Sequence, residues 1–192
     1  MSRDHDRDRD RDPAGRPRNA RPRDGLGRPL GRADSAATGV SGAAEMERIP
    51  DDLVIGGAEA AVLADQLLRG GRPFHAHEVL EAAWKSGPAQ ERDLWQGLAQ
   101  IAVGLTHARR GNARGAVALL RRGAERVRAH QAGGDYHDEA GSRRAGRPSN
   151  PFGMDIASFL AASDDLASSI ERDGLDRIPP ADLSPTLLAA GP

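Results

Sequence analysis

Residues 88–112 read PAQERDLWQGLAQIAVGLTHARRGN, and this stretch decides the fold class. Placed on an α-helix at 100° per residue, its apolar side chains cover well over half of the circumference, and its charges fall near the two ends. A helix with so wide an apolar face lies at the centre of a bundle. Gly111 and Asn112 mark its end and the start of the next helix, because glycine caps C-termini and asparagine caps N-termini.

The segments on either side carry four further helix patterns. We predict them over residues 58–69, over 73–87 with Pro73 in the first turn, over 112–129 and over 156–174. No segment alternates apolar and polar residues with the period of two that is typical of a strand. The connections between the first four helices are short, so neighbours should be antiparallel. The sequence therefore predicts an all-α fold, a single compact bundle of about five helices built from antiparallel helical hairpins.

The rest of the chain has a different composition. Residues 1–34 hold ten arginines and seven aspartates with hardly any hydrophobic side chain, so this segment cannot offset its chain entropy by burial. We expect a disordered Arg/Asp-rich N-terminal tail and linker over 1–48 and a helical domain over 50–175. That domain should contain a mobile, glycine-rich loop over 131–152, and a C-terminal extension should follow over 176–192.

Composition excludes several classes of protein. The chain has no cysteine, which rules out disulfide frameworks, thiolate metal sites and cysteine nucleophiles. It has no apolar run of 18 residues and no hydrophobic N-terminal segment, so we expect a cytoplasmic protein with no membrane partner. The 27 basic and 28 acidic side chains nearly cancel and give little ground for a nucleic-acid partner. The basic run Arg109–Arg128 keeps phosphate or RNA binding open, and homo-oligomers are open as well.

The second predicted helix, PFHAHEVLEAAWKS over 73–86, concentrates the ionisable residues. His77 and Glu81 fall between Phe74 and Trp84, towards the apolar side, whereas His75 points away into water. The i, i+4 spacing puts the imidazole of His77 and the carboxylate of Glu81 over the same patch. An ionised carboxylate in such a place needs a cation, a metal ion or several hydrogen-bond donors as its partner.

The third helix carries a matching polar stripe. Gln96, Gln100 and His107 fall together beside Gly97 and Gly104, and interior glycines indicate that another backbone, or a large side chain such as Trp84, packs closely there. Helices two and three are antiparallel neighbours, so their polar stripes can meet. The predicted pocket consists of His77, Glu81, Trp84, Gln96, Gln100 and His107, with Glu78 at its rim.

Two readings of this cluster stay open. In one, His77, Glu81 and His107 ligate a divalent metal such as zinc, iron or manganese; a hydrolase would then use Glu78 as its candidate base. In the other, His77 and Glu81 form an internal ion pair, satisfied by Gln96 and Gln100, that fixes the helix register. An i, i+4 His/Glu pair is common by chance, which favours the structural reading. No HExxH, P-loop or nucleophile-elbow pattern occurs.

These motifs in fixed order resemble those of a known family. HAHEVLEAAW (75–84) fits an HxxxExxW signature through His77, Glu81 and Trp84, and QGLAQIA (96–102) and HARRGN (107–112) follow. Over roughly residues 58–172 the chain resembles the "domain of unknown function 309" family, which implies a small helical bundle of no established activity. The HxxxExxW motif of that family has been proposed to bind metal. The resemblance gives His75 no role, because that position is usually acidic or aromatic.

The sequence thus predicts a small-ligand or divalent-metal binding domain whose activity, if any, is unassigned. The competing prediction is a non-catalytic interaction module. It would bind protein or nucleic acid through an arginine-rich outer face or a groove, and its inner His/Glu cluster would be structural.

Overall fold

The computed structural model describes residues 49, 53–133, 136–137, 143–144 and 151–189, all within the compact unit Ile49–Pro192. The predicted tail and linker over 1–48 and most of the predicted loop over 131–152 lie outside the described residues.

Five α-helices make up most of the described chain, so the all-α prediction is confirmed. They are α1 (Gly57–Arg69), α2 (Pro73–Ser86), α3 (Arg92–Arg109), α4 (Ala113–Ala132) and α5 (Ile156–Asp173). Short 3-10 turns lie at Ala89–Glu91, Pro151–Gly153, Leu175–Arg177 and Pro180–Leu183. Tyr136–His137 and Arg143–Arg144 pair as two-residue antiparallel strands, β1 and β2, with Tyr136 opposite Arg144.

The helix ends follow local signals in the sequence. Gly71 and Gly111, which end α1 and α3, have φ angles of 69° and 79°, a left-handed conformation that glycine adopts without strain. The side chain of Asn112 accepts the backbone N–H of Gly115 at 2.9 Å and caps α4. Pro73 occupies the first position of α2. At these turns the chain reverses direction, so that each helix packs against the one before it.

Each helix packs against its neighbours in the chain: α1 on α2, α2 on α3, α3 on α4 and α4 on α5. The core is rich in alanine and leucine, and Trp95 and Phe159 are its largest fully buried side chains. Because α2 lies between α1 and α3, two neighbours rather than one cover it.

The contact between α3 and α4 is unusually close, as the glycines of α3 predict. A Cβ atom on Gly97 would lie 2.6 Å from Cγ2 of Val127 and 2.9 Å from the carbonyl oxygen of Gly123. The close approach of another backbone is therefore confirmed. The partner is α4, so the first of the two predicted alternatives, a backbone rather than the side chain of Trp84, is the one observed at Gly97.

The segment after α5 folds back onto the helices. Residues 183–189, which we name the C-terminal strap, bury Leu187 completely. Oδ1 of Asp65 in α1 accepts the backbone N–H groups of Leu187 and Leu188 at 2.7 and 3.1 Å. Nη2 of Arg109 donates to Oγ of Ser184 at 2.6 Å. The predicted C-terminal extension thus contributes a side chain to the core.

None of the helices in the described part of the chain has the length and apolarity needed to cross a lipid bilayer.

Candidate functional site

His77 and Glu81 lie at the margin between the core and solvent. The fully buried side of α2 is formed by Ala76, Val79 and Leu80 with Ala83, all less than 2% exposed. The side chains of His77 and Glu81 are 27% and 34% exposed. The expectation of a buried pocket is therefore corrected to a half-buried pair, which solvent and small solutes can reach.

Glu81 has two partners on its own helix. Its Oε1 lies 2.9 Å from Nζ of Lys85, and its Oε2 lies 3.5 Å from Nε2 of His77. The three residues are spaced i, i+4, i+8 and form a row along α2. The cation that the carboxylate was predicted to need is thus Lys85, one turn further along the helix.

The surroundings of His77 favour its neutral imidazole over the protonated form. Burial lowers the pKa of His77 below its usual value of 6.5; Glu81 opposes this effect, and the positive charge of Lys85 adds to it. Nδ1 is buried and has no hydrogen-bond partner among the described residues. A neutral ring that carries its proton on Nε2 presents that N–H to Oε2 of Glu81, 3.5 Å away, and leaves Nδ1 as an unprotonated acceptor, which is the less costly atom to bury.

His107 does not join this pair. It lies in the last turn of α3, where its Nδ1 is 2.8 Å from Nδ2 of Asn112. The described residues contain no group of three or more His, Cys, Asp or Glu side chains that could hold a metal ion. The predicted three-ligand arrangement of His77, Glu81 and His107 is therefore absent from the described part of the chain, because the His107 ring is turned to the start of α4.

The remaining residues of the predicted pocket are not joined to the pair by hydrogen bonds among the described residues. Trp84, Gln96 and Gln100 are half-buried, and no hydrogen bond of the described residues joins either glutamine to His77 or Glu81. Oε1 of Gln100 is buried without a partner. The indole N–H of the other tryptophan, Trp95, donates to Oε2 of Glu91 at 2.9 Å rather than to Glu81 or to a glutamine.

His75 is buried, and the prediction that it points into water is wrong. Only 6% of the residue is exposed. The ring of Phe74 packs edge-on against both histidines, with centroid distances of 5.7 Å to His75 and 6.4 Å to His77. A helix covered by one neighbour would bury only one face. Since α1 and α3 both cover α2, the buried side extends round the helix to His75 and turns Phe74 towards solvent.

Three of the seven arginines in the basic run Arg109–Arg128 are paired with acidic side chains. Arg121 contacts Glu171, and Arg128 contacts Asp164, both of which lie in α5. Nη1 of Arg126 lies 2.7 Å from Oδ1 of Asp93 in α3. These pairs neutralise much of the outer face of α4, so a continuous positive surface for nucleic acid is not formed by these arginines.

Sequence reasoning missed Asp65. Its carboxylate is almost completely buried, holds the C-terminal strap and lies 3.5 Å from Nε of Arg69. A signal for it was available, because Asp65 follows Ala61 by four residues and precedes Leu68 by three and so falls on the apolar side of α1.

Comparison with known proteins finds a family that part of the chain is similar to. Residues 63–119 match the sequence model of the family described as "Domain of unknown function (DUF309)". This range runs from α1 to the first turns of α4 and is shorter than the predicted extent of 58–172. His77, Glu81, Trp84 and His107 all fall inside it.

One curated relative is an uncharacterised protein, YpuF of Bacillus subtilis (strain 168). It is 46% identical over 48 residues, which are 24% of this chain and 28% of the relative. The alignment therefore spans less than a third of either protein. No solved structure gives a significant match. The predicted resemblance to the DUF309 family is thus confirmed over residues 63–119.

Proposed function

We propose that the helical domain binds one divalent metal ion at His77 and Glu81, with water or a second molecule completing the coordination shell. The separation of 3.5 Å between Nε2 and Oε2 carries the proposal. With metal–nitrogen bonds of about 2.0–2.1 Å and metal–oxygen bonds of about 2.0–2.2 Å, two ligands at the tetrahedral angle lie about 3.4 Å apart. An ion can therefore enter between these two atoms with little movement of either side chain.

The lowered pKa of His77 and the contact of Glu81 with Lys85 both support metal binding. Burial lowers the pKa of His77 and so favours the neutral imidazole that a metal ion needs as a ligand. When an ion binds Nε2, the proton of that atom can move to Nδ1. Lys85 holds the other carboxylate oxygen, and such an outer partner orients a ligating carboxylate. Partial exposure of both residues leaves a path for the ion and room for water.

The number of protein ligands determines the metal affinity that we expect of the site. It has two protein ligands rather than the three or four of strong zinc sites, and Nδ1 of His77 lacks the acceptor that a ligating histidine ordinarily has. We therefore expect a weak, exchangeable site. Nitrogen and oxygen together suit zinc and also iron or manganese.

The chemistry that such an ion supplies when bound is polarisation of water or of a substrate oxygen, as in metal-assisted hydrolysis. Glu78, one residue after His77 on α2, is the candidate base for that chemistry. A negative charge on Glu78 raises the pKa of Arg72, which places the two side chains in the same region. A catalytic role for Glu78 is part of this proposal and rests on the metal being bound.

The test is a titration of metal-free protein with Zn²⁺ and Mn²⁺ by calorimetry, with elemental analysis of the purified protein. We expect one ion per chain, with binding lost in both His77→Ala and Glu81→Gln. Matched controls are His130→Ala and Glu125→Gln, which change the same residue types on α4. Binding that survives in the two site variants, or that falls equally in the controls, would contradict the proposal.

A second function is favoured by one observation. Lys85 already balances the charge of Glu81, so the pair is complete without an ion. The domain would then be an interaction module in which His77 and Glu81 are structural. The same titration separates the two: this alternative predicts no metal uptake by the wild-type protein and a modest loss of stability in the variants.

A further inference from the structure

We propose a second site, formed by other residues than the His77–Glu81 pair: the two helix-connecting turns bind a phosphorylated small molecule through Arg72 and Arg109. The turns are residues 70–72, between α1 and α2, and residues 110–112, between α3 and α4. We name this part of the bundle the arginine end, and it includes the flanking helix turns over 65–78 and 106–115.

The two turns lie side by side. A Cβ atom on Gly71 would be 3.1–3.3 Å from the guanidinium of Arg109, so Arg109 rests against the first turn, next to Arg72 in the chain. The guanidinium of Arg110 lies 5.9 Å from the ring centroid of Phe74 and connects the second turn to α2. Arginines that are distant in sequence are thereby gathered at one end of the bundle.

Charge at the arginine end is unbalanced. Its two segments contain five arginines (Arg69, Arg72, Arg109, Arg110 and Arg114) and two acidic residues. Asp65 is already used by Arg69 and by the C-terminal strap. These two segments then contain one other acidic residue, Glu78, for the four remaining arginines. On the outer face of α4, by contrast, ion pairs neutralise Arg121, Arg126 and Arg128.

The hydrogen bonds of Arg109 go to neutral acceptors. Its Nη2 donates to Oγ of Ser184 at 2.6 Å, and its Nε and Nη2 lie 3.4 Å from the carbonyl oxygen of Leu183. Burial lowers the pKa of Arg109, and no acidic side chain offsets that effect. The guanidinium is held in place by the strap but has no negative partner.

Arg72 is incompletely satisfied. Its Nη1 is shielded from solvent and has no hydrogen-bond partner among the described residues. Burial lowers the pKa of Arg72 more than the charge of Glu78 raises it. A guanidinium that is partly desolvated and lacks an acceptor is costly, and an anionic oxygen beside it removes that cost.

The chemistry of these groups selects the ligand. Planar guanidinium forks bind phosphate oxygens through paired hydrogen bonds. The positive N-terminal ends of α2 and α4 lie here, and neither helix has an acidic residue in its first turn. The last carbonyl groups of α1 and α3, which would repel an anion, accept hydrogen bonds within the turns, for example from the N–H groups of Arg72 and Asn112. Two arginines on neighbouring turns suit one or two phosphate groups rather than a nucleic-acid backbone.

Pyrophosphate, titrated calorimetrically into the full chain at constant ionic strength, tests the proposal. We expect saturable binding of one pyrophosphate per chain. Arg72→Gln should weaken it at least about tenfold, which corresponds to about 1.4 kcal/mol, and Arg72→Lys should weaken it less, because charge is kept while the fork is lost. Circular dichroism checks that each variant is folded.

Two controls make the result specific. Arg122→Gln changes an exposed arginine of α4 and should leave binding unchanged. His77→Ala should also bind pyrophosphate normally, which separates this site from the proposed metal site. No saturable binding, unchanged affinity in Arg72→Gln, or an equal loss in Arg122→Gln would overturn the proposal. So would binding of a single-stranded RNA by a protein that does not bind pyrophosphate.

Discussion

Two carboxylates, one among the inner contacts of the bundle and one on the outer side of α2, have opposite environments. Asp65, among the inner contacts, is almost completely buried and gives one oxygen to two backbone N–H groups. Glu81, on the outer side of α2, is one-third exposed, and its ion-pair partners among the described residues, His77 and Lys85, lie on its own helix. A carboxylate that holds distant chain segments together is committed to the fold, whereas one with local partners is free to take a ligand.

The largest effect is expected from removing each carboxylate in turn. Asp65→Ala should lower the free energy of unfolding by about 3 kcal/mol or more, because two N–H groups of the strap lose an ionic acceptor. Glu81→Ala should cost less than about 1 kcal/mol, since its partners are exposed and local. Urea unfolding followed by circular dichroism measures both. Equal losses would remove the distinction between the two regions.

The close contact between α3 and α4 allows a test in which no charged residue is changed. Gly97→Ala should destabilise the protein by about 1–3 kcal/mol, because the added methyl group overlaps Val127 and the backbone at Gly123. The matched control is Gly56→Ala, at a position where a Cβ meets no atom within 4 Å. If both substitutions have the same small effect in urea unfolding, α3 and α4 are not in close contact.

The pH dependence of stability probes the outer side of α2. Burial lowers the pKa of His77 in the folded state below the value of about 6.5 expected in the unfolded chain. The unfolded state therefore binds more protons as the pH falls. The contribution of His77 is fully present above about pH 6.5 and is lost as the pH falls through the lower, folded-state pKa.

The comparison of wild type with His77→Gln isolates this effect from that of the other buried histidine, His75. The free energy of unfolding of wild type and of His77→Gln is measured by urea titration between pH 8 and pH 5. The value for wild type should fall relative to that for His77→Gln in the acidic half of that range. A difference that is constant with pH would mean that the imidazole of His77 is as well solvated in the folded protein as in the unfolded chain.

The smallest expected effect concerns the charges beside His77. Lys85→Gln should raise the pKa of His77, because a neighbouring positive charge is removed, and Glu81→Gln should lower it, because an opposite charge is removed. A pH titration of the His77 ring protons by NMR measures both directions. Shifts of the same sign in the two variants would show that the row His77–Glu81–Lys85 does not exist in solution.

Local signals explain why the five helices could be predicted. Pro73, Gly111 and Asn112 act through backbone conformation and short-range hydrogen bonds, which are properties of the neighbouring residues alone. The close contact at Gly97 was predictable for a similar reason, since glycines inside a helix need a packing cause.

The orientation of α2 could not be predicted in the same way. A helical wheel orders residues round the axis but does not say how many neighbours cover it, so His75 was placed in water and Phe74 in the core. The roles of Asp65 and Arg109 depend on the C-terminal strap, more than 70 residues away along the chain. Hydrogen bonds of that range leave no periodic pattern in the sequence.

The most direct test of the proposed function is an NMR titration of the histidine ring nitrogens with Zn²⁺. A long-range ¹H–¹⁵N spectrum resolves Nδ1 and Nε2 of each ring and reports which one changes. Binding at His77 and Glu81 predicts that Nε2 of His77 shifts to a metal-bound position while the proton moves to Nδ1, with His107 unchanged. If the His77 signals stay in place at saturating zinc while the helical bundle remains folded, the site does not bind metal.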